Sequence, residues 1–315
     1  MKATSLLLLG MLVSVAASAQ STRTTDIRIE DGSGSFSFAG GAGREDKPIT
    51  VFYHKPVTFT PRSPVLIVAP GAGRNGWTYR DAWVDAADEH GVLVLSPSYS
   101  EEHYPEFWSY NLAGMIADVD TTATPVTYRI VSDPSAWIFA DFDRLFLTVK
   151  DRLALETSTY DMFGHSAGGQ LLHRLVLFHP GSLADRVLAA NSGWYTVPTF
   201  DDEFPYGLTG STSTPATIAA AFTENLVVFL GERDDENETR GDLARTAEID
   251  VQGISRIARG KYFHDVASKT AAELGLPLEW QLEIVPGVGH DPQRMSAAAA
   301  AYLYASPGIR SNARE

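Results

Sequence analysis

The chain has 315 residues, 44% of them hydrophobic and 20% charged, and 25 Lys+Arg against 39 Asp+Glu give a formal net charge of −14. That composition excludes a disordered or fibrous chain, and the length suffices for one large core. The lack of cysteine rules out a disulfide framework, a thiolate nucleophile and Cys-ligated zinc, and an acidic chain without a basic run is set aside as a nucleic-acid binder.

Residues 1–19 read as an export signal. Lys2 supplies the positive start, Leu6 to Val15 carries no charge, and Ala17-Ser18-Ala19 fits the small-x-small cleavage rule, which makes Gln20 the new N-terminus. The apolar run is shorter than the roughly 20 residues that cross a bilayer, and no later segment reaches that length, so no membrane span is expected. A secreted or periplasmic protein cannot count on ATP or NAD, which favours hydrolysis over cofactor chemistry. Residues 20–315 show no repeat, linker or abrupt change in composition and predict a single domain.

Ile27 to Phe38 and Ile49 to Tyr53 read as an antiparallel pair turned by Gly40-Gly41-Ala42-Gly43. Val65 to Val68 is a continuous apolar run, the pattern of a strand buried on both faces. A helix over Tyr79–His90 and a strand over Val92–Leu95 follow, then a long amphipathic helix from Ala136 to Leu155. Asp161–Phe163 is a short strand, and Ala167–Phe178 a helix. Val187–Ala190, Leu226–Leu230 and Leu282–Val285 complete the strands, with helices near Ile254–Leu274 and Arg294–Tyr304. This alternation predicts an α/β fold with a mostly parallel sheet, which carries ligands outside the carboxyl ends of its strands.

Chemistry gathers at those ends. After Asp161–Phe163 comes Gly164-His165-Ser166-Ala167-Gly168, and G-x-S-x-G between a strand and a helix is the pattern of an exposed serine on a sharp turn. A serine hydroxyl needs a base, and the base needs an orienting acid. His290 ends the glycine-rich loop Val285-Pro286-Gly287-Val288-Gly289-His290, whereas His165 points away from Ser166 in such a turn and reads as structural. Leu226–Leu230 leads into Gly231-Glu232-Arg233-Asp234-Asp235, where either aspartate suits the acid. Gly71-Ala72-Gly73-Arg74-Asn75-Gly76 matches a dinucleotide fingerprint, but the next strand ends in Ser96-Pro97-Ser98 without the acid that binds ribose, so no NAD is expected. Asp234 to Glu238 lacks the spacing and glycine of a calcium loop. Trp194 and Tyr195, after Val187–Ala190, are candidates to line a substrate subsite, as is Phe107-Trp108-Ser109-Tyr110; aromatic residues near strand ends more often fill core.

Taken together, the strand alternation, Gly164-His165-Ser166-Ala167-Gly168, Gly231-Glu232-Arg233-Asp234 and Gly287-Val288-Gly289-His290 resemble the α/β-hydrolases over nearly all of residues 20–315. Within that superfamily the chain is most similar to secreted esterases of the polyhydroxybutyrate-depolymerase and feruloyl-esterase type. The resemblance implies a mostly parallel central sheet with an antiparallel N-terminal pair and helices on both faces. It implies a carboxylic ester hydrolase without cofactor, metal or protein partner, acting on a small or polymeric ester. Ser166 becomes the nucleophile, His290 the base and Asp234 the acid, because similar hydrolases place the acid three residues after a strand-ending glycine such as Gly231. Backbone N–H groups of Ala167 and Ala72 would form the oxyanion hole. Pro70-Gly71 stands where many relatives have His-Gly, and the 56 residues from Asp234 to His290 predict an extra helical insertion. A peptidase or amidase would use the same three residues. A non-catalytic binding protein on a hydrolase scaffold would have no use for a complete set.

Overall fold

The computed structural model describes residues 27–305, so the expected export signal lies outside the described residues. Strands β1 (Gly32–Phe38), β2 (Ile49–Lys55), β3 (Val65–Ala69) and β4 (Leu93–Ser98) are followed by a small hairpin of β5 (Ile116–Asp120) and β6 (Thr127–Ile130). Then come β7 (Tyr160–His165), β8 (Ala184–Ala190), β9 (Leu226–Gly231) and β10 (Gln281–Val285). The main sheet runs β1-β2-β4-β3-β7-β8-β9-β10. β1 pairs antiparallel with β2, and β2 antiparallel with β4; from β4 to β10 every pairing is parallel. This is a mostly parallel sheet with an antiparallel N-terminal pair, as the sequence predicts.

The helices are α1 (Gly76–Asp81), α2 (Val84–His90), α3 (Phe107–Tyr110), α4 (Phe139–Leu153), α5 (Ala167–Phe178), α6 (Pro215–Ala221), α7 (Ala247–Asp250), α8 (Arg256–Leu274) and α9 (Pro292–Tyr304). Strand periodicity divides the core into two layers. In β3, Val65, Ile67 and Ala69 face the layer that contains Phe142, Leu171 and Phe263 of α4, α5 and α8. Leu66 and Val68 face the opposite layer, with Tyr79, Trp83, Ala87, Met295 and Ala299 of the α1–α2 and α9 side. Successive side chains of a strand point to opposite faces, so a strand covered on both faces is mostly apolar, and its polar residues need partners, as Asp161 of β7 finds in Arg186. All of β3, β7 and β9 is buried.

Two expectations need correction. The helix read over Tyr79–His90 is broken into α1 and α2 at Ala82–Trp83. Trp83 turns into the core there and packs edge-on against Phe163 at 5.4 Å between ring centroids, so burial of one large ring outweighs helix continuity. The helical insertion expected between Asp234 and His290 is mostly the crossover α8. Parallel neighbours β9 and β10 require such a connection, and the additional length lies in residues 232–255 with the four-residue α7.

Candidate active site

Ser166 stands between β7 and α5 at φ 59° and ψ −114°, a conformation that side chains rarely adopt. The turn closes only because its flanks are glycine. A Cβ on Gly164 would lie 2.5 Å from the Gly168 carbonyl oxygen, and a Cβ on Gly168 would strike the Ala69 carbonyl. The Ser166 N–H donates to the Ala190 carbonyl at 2.9 Å, which fixes the turn to the end of β8.

Ser166 Oγ is 3.2 Å from His290 Nε2, and His290 Nδ1 is 2.7 Å from Asp234 Oδ2. An ionised carboxylate only accepts hydrogen bonds, so Nδ1 carries the hydrogen and Nε2 accepts from the serine hydroxyl. Asp234 is 1% exposed and His290 8%, which places the pair out of bulk water. Asp235 points elsewhere, its carboxylate accepting from the Asn237 N–H at 2.9 Å.

Several residues to which the sequence assigned no role hold this array. Asn191, fully buried at the end of β8, accepts from the Gly231 N–H at 2.7 Å and donates to the Gly289 carbonyl at 3.1 Å. One side chain thereby joins the loops that carry the acid and the histidine. Glu238 accepts from the His290 backbone N–H at 2.8 Å and from Arg240 at 3.0 Å. These bonds, those from Arg240 foremost, pull its carboxyl down to about 2. Buried Arg256 lies 3.4 Å from Asp234 Oδ1. Apart from the Glu238–Arg240 pair, none of these contacts has a local sequence signal, because the partners are 22 to 98 residues apart.

His165 is fully enclosed. Its ring packs 4.5 Å from the His290 ring, and Nδ1 meets the Tyr79 hydroxyl at 3.2 Å. Burial first, and then the nearness of His290 and Arg256, hold its pKa well below the ordinary imidazole value, so it stays neutral.

Ala167 is the first residue of α5, where backbone N–H groups have no acceptor within the helix. Ala72 is exposed in the loop after β3. That loop is held by Arg74, whose buried guanidinium donates to the carbonyls of Tyr104 and Glu106, and by the Tyr110 hydroxyl, which donates to the Pro70 carbonyl at 2.7 Å. Both subsite candidates are buried, as aromatic residues near strand ends more often are. Tyr195 is 0% exposed and stacks on Phe263 at 4.6 Å, so it belongs to the core; its aromatic neighbours in α8 outcompete solvent. Trp194 is 6% exposed and lies over the Arg174 guanidinium at 4.1 Å. Phe107 is half-exposed, and its ring meets Trp108 at 5.1 Å.

Neither a protein-family model nor a curated protein matches the chain. Among solved structures, poly(aspartic acid) hydrolase-1 from Sphingomonas sp. KT-1 is 36% identical, covering 88% of this chain and 99% of that one with a TM-score of 0.78. LpqC, a poly(3-hydroxybutyrate) depolymerase from Bordetella parapertussis, is 33% identical, covering 87% and 90% with a TM-score of 0.78. The siderophore hydrolase EstB from Aspergillus nidulans, 14% identical with a TM-score of 0.51 over 89% and 98%, shares the fold alone. A hydroxyl, imidazole and carboxylate in series on a glycine-flanked turn, in a sheet of this order, agree with identities above 30% across nearly the full length of two hydrolases: the chain belongs to the α/β-hydrolase esterases and resembles the poly(3-hydroxybutyrate) depolymerases among them.

Proposed function

We propose that the protein is an exported carboxylic ester hydrolase that works through an acyl-enzyme on Ser166. The observation that carries this reading is the hydrogen-bonded series Ser166–His290–Asp234 at 3.2 and 2.7 Å. His290 Nε2 removes the hydroxyl proton as Oγ attacks the ester carbonyl carbon. N–H groups of Ala167 and Ala72 hold the developing oxyanion, and Asp234 stabilises the imidazolium. The imidazolium returns its proton to the departing alkoxide oxygen. The same histidine then deprotonates water, which attacks the acyl carbon and releases the acid and Ser166.

The substrate class is an ester in a small molecule or a polymer chain, and the signal read over residues 1–19 sends the enzyme to periplasm or medium. Ser166→Ala, with the side chain in a turn that contributes little packing, is expected to fold normally and to lose activity on the order of 10⁶-fold. The check is turnover of a small aryl ester together with labelling by a fluorophosphonate; activity within tenfold of the parent refutes the assignment. A second reading is amide hydrolysis by the same residues, favoured by the likeness to a poly(aspartic acid) hydrolase, because that polymer is linked by amides. Anilide turnover comparable with that of the matching ester would select it.

A further inference from the structure

We infer that Arg256 is a positioning residue: its guanidinium holds the Asp234 carboxylate aimed at His290. The inference rests on the proposed roles of Ser166, His290 and Asp234.

The two oxygens of Asp234 are divided between two partners. Oδ2 takes His290 Nδ1 at 2.7 Å, and Oδ1 faces Arg256 Nη1 at 3.4 Å. Both residues are buried, Asp234 at 1% and Arg256 at 3% exposure. A carboxylate removed from water needs a compensating charge, and a neutral imidazole supplies none. The guanidinium is therefore the counter-charge in the resting enzyme. It also occupies Oδ1, which leaves only Oδ2 for the histidine.

The other end of the fork reaches the loop. Arg256 Nη2 donates to the Asp242 carbonyl at 2.6 Å. Next to it, Gly241 lies against the imidazole at φ +73°: a Cβ there would be 3.0 Å from His290 Cδ2 and 3.7 Å from Arg256 Nη2. His290 is thus confined by Gly241 at its Cδ2 edge, by the His165 ring packed against it, and by Asp234 at Nδ1. A planar fork that spans a carboxylate and a carbonyl is a task that lysine's point charge cannot reproduce.

The guanidinium is not what brings the start of α8 to this place. The Ile257 backbone N–H donates to the Asp234 carbonyl at 3.1 Å, and Ser255 caps the helix by accepting from the Ala258 N–H. Neither contact uses an atom of the Arg256 side chain.

The test uses the mature chain, a small neutral aryl ester, and kcat and KM measured separately. Arg256→Met is expected to lower kcat by about 10–100-fold, the range for a slightly misplaced catalytic group, with KM within about twofold of the parent. Because the effect passes through the carboxylate, Arg256→Met in an Asp234→Asn background is expected to change kcat by less than about threefold. Arg256→Lys keeps a cation in the same place and serves if Arg256→Met does not fold; its kcat is expected about tenfold below the parent, since the ammonium cannot span both acceptors. A parental kcat in either variant, or the same loss in both backgrounds, overturns the inference. Ser166→Ala inert with Arg256→Met at the parental rate refutes this role alone; Ser166→Ala active refutes the reading beneath it.

Discussion

Asp234 and Asp235 are adjacent in the chain and occupy different environments, one 1% exposed against His290 and Arg256, the other bonded to a loop N–H. Asp234→Asn is expected to keep the shape and to cost about 10⁴-fold in turnover, because the amide can impose the wrong imidazole tautomer and has no charge for the imidazolium. Asp235→Asn should stay within about threefold of the parent, as is usual for a carboxylate without a buried partner. Steady-state rates of the two variants check this, and a reversed pattern would move the acid by one residue. Glu238 makes a pH-dependent contribution. Its carboxyl is drawn from 4.5 to about 2, chiefly by hydrogen bonds from Arg240 and further by the backbone N–H groups of Arg240 and His290. A pKa depressed by folding adds stability that is complete above the unfolded value and is lost as pH falls through the folded one. The stability gap between the parent and Glu238→Gln is therefore expected to be full above about pH 5 and to close toward about pH 2. Denaturant melts at several pH values measure it, and a gap that does not vary with pH refutes the attribution.

The serine turn works as an element because three backbone segments meet there with no space for side chains. A Cβ at Gly168 would press on the Ala69 carbonyl and lie 2.8 Å from that of Pro70, the residue that opens the loop after β3. Gly168→Ala is accordingly expected to push that loop from α5 and to lower kcat by about 10²-fold or more, the cost of roughly an ångström of misplacement. Rates compared with a melting curve distinguish a displaced loop from global unfolding; a parental kcat would mean that the turn has slack. The breakdown of the helix read over Tyr79–His90 also belongs to this scale. Periodicity detected its apolar face but not the break at Trp83, because the force that turns that ring inward comes from Phe163 on a strand eighty residues later. The hairpin β5–β6 escaped notice for the opposite reason. Its residues are mostly exposed or half-exposed, so no buried face imprints an alternation on the sequence.

At the scale of the whole molecule, the two core layers and the strands of the sheet are built, among the described residues, from Ile27 onward. Protein recovered from periplasm or medium is expected to begin at Gln20, read by N-terminal sequencing or intact mass, and to melt like a chain made without residues 1–19. A mature product that still begins at Met1 refutes the export reading. The strands of the main sheet, the glycine-flanked serine turn and the loops that bear Asp234 and His290 were legible in the amino-acid sequence, because burial on both faces and tight turns each demand particular residues in consecutive positions. The placement of Arg256 against Asp234, Asn191 between Gly231 and Gly289, Glu238 on the His290 N–H, and Tyr195 in the core was decided by tertiary structure alone. Those contacts join residues 22 to 98 positions apart, and a side chain's partner at such separation is set by how the sheet stacks its strand ends, which no local pattern encodes.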